Sequence, residues 1–218
     1  MTQQIHIETE QLKEKLLLMA SNAEHCVRGA VQSVLDREER LARSVKEQDS
    51  VIDQLEKEVD EFAIVMLAQA PLASDLRFIA MAMKISTELE RVGDEATTIS
   101  RRSLELMKES PLKSHVDIEP LAHLVIDMLK ASLDAFVFRQ ADVARKIVLR
   151  DKEADAMNKA IYHRMTEWMV REPECAMRCL HYITIAKSLE RIGDHASNIA
   201  EEVVFLCEAK DIRHQSLA

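Results

Sequence analysis

An all-α chain is predicted from scarce turn formers, abundant helix formers and a recurring 3.6-residue apolar rhythm. Three glycines and four prolines serve 218 residues, so turns must be few and elements long. Aromatic residues make up only 4% of the chain, whereas Met, Leu, Ala, Glu and Lys, which favour helix over strand, dominate. The spacing predicts six helices, over about residues 5–37, 39–69, 73–108, 115–138, 141–171 and 174–208.

The first helix ends at a charged connector, Asp36 to Arg40, that contains neither Gly nor Pro. On the second, Leu41, Val45, Ile52, Leu55, Val59, Phe62 and Met66 form one stripe, which stops short of Pro71. The third carries Ile79, Met83, Ser86, Glu90, Gly93, Thr97 and Ser100 in a row at helical spacing. Pro111 and Pro120 bracket the polar stretch before the fourth helix. On the fifth, Ile147, Ala154, Ile161 and Met165 share a face that ends before Pro173. The sixth repeats the row of the third, with Cys179, Ile183, Ala186, Glu190, Gly193, Ser197 and Ala200.

That repetition is a duplication. The twelve residues Leu89 to Ser100 align with Leu189 to Ala200, and seven of the twelve pairs are identical. Pro71 and Pro173 correspond at an offset of 102, as do Asp49 with Asp151 and Asp53 with Asp155; the offset falls to 100 at the strong motif. The chain therefore reads as two tandem three-helix bundles of six long antiparallel helices, residues 1–110 and 111–218, joined near 109–118.

Charge and length exclude several function classes. A net charge of −9 opposes binding to nucleic acid or anionic lipid. Apolar runs such as Phe62 to Ala68 fall short of the ~20 residues of a membrane span. The N-terminus has no basic-then-apolar leader, so a cytoplasmic chain, peripheral to a membrane at most, is expected. Cys26, Cys175, Cys179 and Cys207 form no disulfide framework. They read as small buried thiols, although Cys175 and Cys179, four apart, could in principle hold a soft metal. Trp168 and the methionines read as core. Three glycines leave no room for a Walker A loop, a GxSxG elbow or a GxGxxG turn. No nucleophile is paired with a base, and no helix offers the Glu-x-x-His of di-iron oxidases. Catalysis is not expected.

Chemistry concentrates instead in repeated acids. Glu90 and Asp94 lie four apart, as do Glu190 and Asp194, Asp49 and Asp53, and Asp151 and Asp155. Like charges at that spacing destabilise a helix by a few tenths of a kcal/mol each. Measured from Pro71, Asp53 and Glu90 are 18 and 19 residues away, and Asp49 and Asp94 are 22 and 23. Measured from Pro173, Asp155 and Glu190 are 18 and 17 away, and Asp151 and Asp194 are 22 and 21. At about 1.5 Å per residue, the four carboxylates of each antiparallel hairpin stand level. Asp49 also fills a gap in an apolar stripe, and Gly93 and Gly193 leave the facing backbone bare.

Such groups repel unless protonated, paired with arginine or bridged by cations. Carboxylate oxygens suit divalent or trivalent ions such as Mg, Ca, Mn, Fe or Zn. Two readings without metal stay open: Arg91 and Arg191 neutralise the acids, or the acidic faces are solvated. Counting along the hairpins also places His25 near Asp49 and Asp127 near Asp151 as possible further ligands.

The motif Leu-Glu-Arg-Val/Ile-Gly-Asp, at Leu89–Asp94 and Leu189–Asp194, resembles that of the PhoU family of bacterial phosphate-signalling regulators. Pro71-Leu72-Ala73-Ser74-Asp75-Leu76-Arg77, the run from Asp194 to Glu201 and Asp211-Ile212-Arg213-His214 extend the likeness over nearly the whole chain. The resemblance implies a tandem pair of three-helix bundles. It also implies a cytoplasmic negative regulator of phosphate uptake and phosphate-starvation signalling, acting as an adaptor between the phosphate ATP-binding cassette transporter and a sensor histidine kinase. It implies multinuclear metal sites on E(D)xxxD motifs, here Glu90/Asp94 and Glu190/Asp194, facing Asp49/Asp53 and Asp151/Asp155. Glu56 and Asp60 form a further match, but Asn158 and Tyr162 stand at their second-half equivalents, a departure from the pattern. A homodimer is expected, mostly by family analogy. The competing functional readings are a carboxylate-bridged helical metalloenzyme and a metal-free helical scaffold.

Overall fold

The computed structural model describes residues 2–70, 72–113 and 116–213, with side chains from Ile5 onward. Pro71 and His214, both used in the sequence reading, lie outside the described residues. Six long α-helices account for nearly all of the rest: α1 (Thr2–Asp36), α2 (Glu39–Leu67), α3 (Ala73–Met107), α4 (Glu119–Phe138), α5 (Ala141–Arg171) and α6 (Ala176–Glu208). No strand occurs among the described residues.

Two boundaries differ from expectation. Helix α4 starts at Glu119 rather than near 115, because Pro120 lacks an N–H and fits only the first turn. Before α6, Pro173–Cys175 forms a single 3₁₀ turn.

Helices α1, α2 and α3 pack as one antiparallel bundle, and α4, α5 and α6 as another. The halves meet along α3 and α6, with α1 against α4 at the side. Across the seam, ion pairs join Lys84 to Glu202 and Glu95 to Arg191, and a hydrogen bond joins Glu88 to His195. Those pairings run in opposite sequence directions, so α3 and α6 are antiparallel. The two acid motifs cross near the centre of the seam. Helices α3 and α6 bury broad arcs rather than single stripes, because each touches helices of its own bundle and of the other. Ser86, Ser100 and Ser103 on α3, and Ser188 and Ser197 on α6, are buried in these contacts, where small side chains allow close approach.

The core runs from Leu12 and Met19 on α1 through Ile52, Leu89 and Ile99 to Leu129, Ile192 and Val203. Trp168 is only partly buried against it, and Met177 is 60% exposed, so the expectation that every methionine lies in the core fails at the α5–α6 end. Cys26, Cys175 and Cys179 are buried free thiols; Cys207 is half-buried. Phe78 of α3 stacks on Phe136 of α4, with ring centroids 5.8 Å apart, adding an aromatic clasp between halves.

The first connector turns without glycine. Arg37 takes a left-handed conformation with φ 54°, at a cost of roughly 1–2 kcal/mol for an L-residue. Its guanidinium donates to the carbonyls of Leu106 and Glu109, at 2.8 and 2.6 Å, satisfying the open end of α3. Arg139, at the equivalent position after α4, repeats the conformation with φ 52° and lies 5.9 Å from the Phe78 ring centroid. The duplication thus extends to its turns.

Arg37→Ala keeps the strain and loses both bonds, so it should destabilise by about 1–3 kcal/mol. Arg37→Gly relieves the strain and should be about 1 kcal/mol less harmful. Urea unfolding of the two variants measures the difference; an Ala variant as stable as the Gly variant would remove the strain argument.

Candidate metal centre

In the first bundle, Asp49 occupies the gap between Val45 and Ile52 because the buried stripe of α2 must rotate through that position. Its carboxylate lies directly over Gly93 of α3: a Cβ placed there would stand 2.5 Å from Asp49 Oδ1 and 3.1 Å from Ile52 Cδ1. Only glycine leaves the backbone bare enough for that approach. Asp49 Oδ1 is buried with no hydrogen-bond partner, and neither is one completed by the buried Thr97 Oγ1 beside it. Burial pushes the Asp49 carboxyl above its ordinary value; the Thr97 hydroxyl opposes the rise, and Asp53 and Asp94 add to it.

Glu90, half-buried on α3, is pushed up to about 6 by burial and then by the charges of Asp94, Glu56, Asp53 and Asp49. All four expected acids of this bundle therefore act on one another across the α2–α3 groove, and Glu56 joins them as a fifth. Asp60 is not among the groups acting on Glu90 or Asp49. Asp49, Asp53, Glu90 and Asp94 have no ion-pair partner among the described residues. Arg91 turns away to Glu88, at 3.2 Å. Neutralisation by Arg91, one of the readings open from sequence, does not occur.

The second bundle places the equivalent acids differently. Asp151 Oδ1 is again buried without a hydrogen-bond partner. Asp194 is pushed up to about 7 by burial, Glu190 and Asp151, against a lowering influence of Lys187. Asp151 is also raised, first by burial, and its contact with Asp194 offsets part of that rise. A proton held by Asp194 between the two aspartates accounts for both directions. Glu190 is buried and forms an ion pair with Lys187, one turn away on α6. Asp155 is paired with Lys159 at 3.6 Å. A built-in cation does act here, but it is Lys187, where the first bundle has Thr87, and not Arg191. Arg191 crosses to Glu95 at 3.1 Å. Gly193 is approached by Val125 and Ala154, at 3.3 and 3.4 Å from a would-be Cβ, and by no carboxylate.

Neither proposed extra ligand sits in these clusters. His25 and Asp127 are exposed. Instead Cys26 turns toward α2, its thiol pushed up to about 12 by burial and by Asp49. His195 bonds Glu88 at 2.7 Å across the seam, where Asn198 also donates to Glu88 at 3.0 Å. Asp94 and Asp194 line one cleft of about 420 Å³ between the bundles, together with Arg91, Arg191 and His195. The two acid clusters thus open toward each other.

The donor set fits a hard cation in kind: several carboxylate oxygens, one of them buried and unpartnered in each bundle. It is not drawn up as a finished cage, since no group of three His, Cys, Asp or Glu side chains encloses a point among the described residues. Asp49 is the fixed element, while Asp53 is half-buried and Asp94 exposed.

The raised carboxyls give the metal-free fold a definite pH response. Glu90, Asp194, Asp49 and Asp151 bind protons more readily folded than unfolded, so stability is full below their ordinary values and is lost as pH rises. For Glu90 and Asp194 the loss runs from about 4 to 7. His181, lowered by burial, has the opposite slope. Chelator-treated protein carrying Glu90→Gln and Asp194→Asn should therefore gain melting temperature over wild type at pH 8 and little at pH 5. Equal gains at both values would show that these acids do not titrate with the fold.

The comparisons with known proteins agree with this architecture. The PhoU domain model matches residues 16–103 and 118–203. The chain is 38% identical over 219 aligned residues to a phosphate-specific transport system accessory protein PhoU homolog of Pseudomonas aeruginosa, covering 99% of this chain and 90% of that one. It is 32% identical to the homolog of Clostridium acetobutylicum, over 93% of this chain and 94% of that one. The crystal structure of PhoU from Pseudomonas aeruginosa superposes with a TM-score of 0.91 at 36% identity, covering 94% of this chain and 99% of that one. The phosphate transport system regulatory protein PhoU from Streptococcus pneumoniae gives 0.89 at 25% identity, over 95% and 98%. With the domain matched in both halves and a relative 38% identical over 99% of the chain, the chain belongs to the PhoU family.

Proposed function

We propose that this chain is a metal-binding cytoplasmic adaptor that restrains phosphate uptake and phosphate-starvation signalling, between the phosphate ATP-binding cassette transporter and a sensor histidine kinase. Its relatives are named as accessory proteins of the phosphate-specific transport system. No helix among the described residues is long and apolar enough to cross a membrane. Exposed apolar side chains at the two ends, Leu72 and Leu76 at one and Val170, Met177 and Leu180 at the other, offer surfaces for such docking and for a homodimer.

The observation that carries the metal reading is the unpartnered, buried Asp49 oxygen amid four further carboxylates, with Asp49, Asp53, Glu90 and Asp94 in no ion pair among the described residues. A bound divalent or trivalent ion would supply the missing positive charge. Asp49, Asp53, Glu90 and Asp94 would hold it in the first bundle, and Asp151, Asp155, Glu190 and Asp194 in the second. Lys187 and Lys159 already occupy part of the second site's electrostatic role, so the first bundle should bind more tightly.

Protein purified without chelator should carry metal by elemental analysis, and adding Mg, Mn, Fe, Zn or Ca to stripped protein should raise its melting temperature. Absence of both would favour the metal-free scaffold. Gly93→Ala pushes a methyl into Asp49 and should weaken metal affinity about tenfold or more, whereas Gly193→Ala meets only hydrocarbon and should leave it unchanged. A strain lacking the gene should express phosphate-starvation genes in high phosphate; normal repression there would contradict the regulatory role.

A further inference from the structure

Beside the first acid cluster, on the side away from the α2–α3 turn, a groove of about 560 Å³ opens between α2 and α3. Its chemistry is the reverse of its neighbour's. Arg43 and Lys46 on α2 face Arg101 on α3 across it. The ammonium of Lys46 and the guanidinium of Arg101 take part in no hydrogen bond or ion pair among the described residues, while the Lys46 carbonyl accepts from Ser50. Arg43 is held at 2.6 Å by Glu39, and Glu47 is the one acid in the lining. In a chain of net charge −9, two unpaired cations that converge on one groove stand against the general field.

The groove also has neutral donors and an apolar floor. Thr97 lines it at the boundary with the acid cluster, its buried hydroxyl oxygen beside the Asp49 carboxyl. Ser50 contributes a second hydroxyl, and Ala42 and Leu104 supply hydrocarbon. A guanidinium fork, an ammonium point charge and hydroxyls are the groups that recognise a tetrahedral oxyanion. The volume lies in the range of small organic ligand sites, about 300–1,000 Å³, and exceeds what a single phosphate fills.

The duplication supplies an internal control. At the second-bundle equivalents, Lys46 becomes Val148, Glu47 becomes Leu149, Ser100 becomes Ala200 and Arg101 becomes Glu201. Arg145, the equivalent of Arg43, is tied to Glu208 by two bonds of 2.8 and 2.6 Å. The bundles share their acid motifs, yet the second has no cation at the positions of Lys46 and Arg101. Helix packing does not demand these two, since the second bundle packs the same helix pair without them.

We propose that this groove binds a phosphate-bearing anion, with its phosphoryl group among Lys46, Arg101 and Arg43 and any organic body on Ala42 and Leu104. The full chain, kept in chelator so that the acid clusters hold no metal, is titrated calorimetrically with inorganic phosphate and, separately, with ADP. Saturable binding that weakens with added salt is expected. Lys46→Val with Arg101→Glu writes in residues the second bundle already tolerates, and should reduce affinity at least tenfold with an unchanged melting curve. Lys152→Glu, a charge reversal elsewhere, should leave binding intact. Tighter binding of ADP identifies an organic phosphate as the ligand; phosphate binding as well or better identifies the free anion. No saturable binding of either, binding that survives Lys46→Val/Arg101→Glu, or equal weakening by Lys152→Glu overturns the proposal.

Discussion

The arrangement turns on one close approach, the Asp49 carboxylate resting on the bare backbone at Gly93. A carboxylate brought out of water without a partner is expensive to keep, and this one is surrounded by others of the same sign. The surrounding chain does little to relieve it. Arg91, one residue from Glu90 and three from Asp94, faces another way and binds Glu88. Isoleucine, not lysine, follows Asp49 one turn along the buried stripe at Ile52. A fold free to optimise stability alone would place a cation or a hydrocarbon there. Strained charge clusters retained at a groove are where function concentrates.

The two bundles have answered the same problem differently. The second brings Lys187 onto Glu190, lets Lys159 approach Asp155, and places Asn158 where the first bundle has Glu56. Its glycine is covered by Val125 and Ala154 instead of an acid. The result is a cluster partly discharged from within, with the remaining tension held by the Asp151–Asp194 pair. The first bundle keeps five acids that act on one another, and among the described residues no cation pairs with Asp49, Asp53, Glu90 or Asp94. Two sites built from one ancestral hairpin therefore present very different fields to any ion that reaches them.

Much of this was legible from the chain. Asp49 showed itself as a polar interruption in a stripe, and its level with Asp94 followed from counting residues away from the turn. The six helices and the duplication came from periodicity and repeat alone. Rotation about the helix axis did not follow from counting: His25 has the right height for Asp49, but the neighbouring Cys26 has the right azimuth. The direction the arginines take is hidden from the count in the same way. Arg91 and Arg191 sit within acid motifs, yet Arg91 turns back along α3 to Glu88, and the α3–α6 seam, which no single hairpin reveals, draws Arg191 to Glu95. Lys187 carried no signal beyond its spacing of three from Glu190.

That seam explains why the acid clusters can remain unneutralised without loosening the molecule. Glu95 and Glu202 take up Arg191 and Lys84 from the opposite bundle, and Glu88 holds Arg91 one turn along α3 while meeting His195 across the seam, so the arginines inside the acid motifs are engaged at the seam and not by the acids beside them. The Phe78–Phe136 stack and the Arg139 cap reinforce the same junction from the side. Charge balance is thereby divided by location: the seam between bundles is paired, and the acid cluster of the first bundle is left anionic. A cation entering that cluster meets carboxylates that have nothing to release, and the contacts between bundles need not break to admit it.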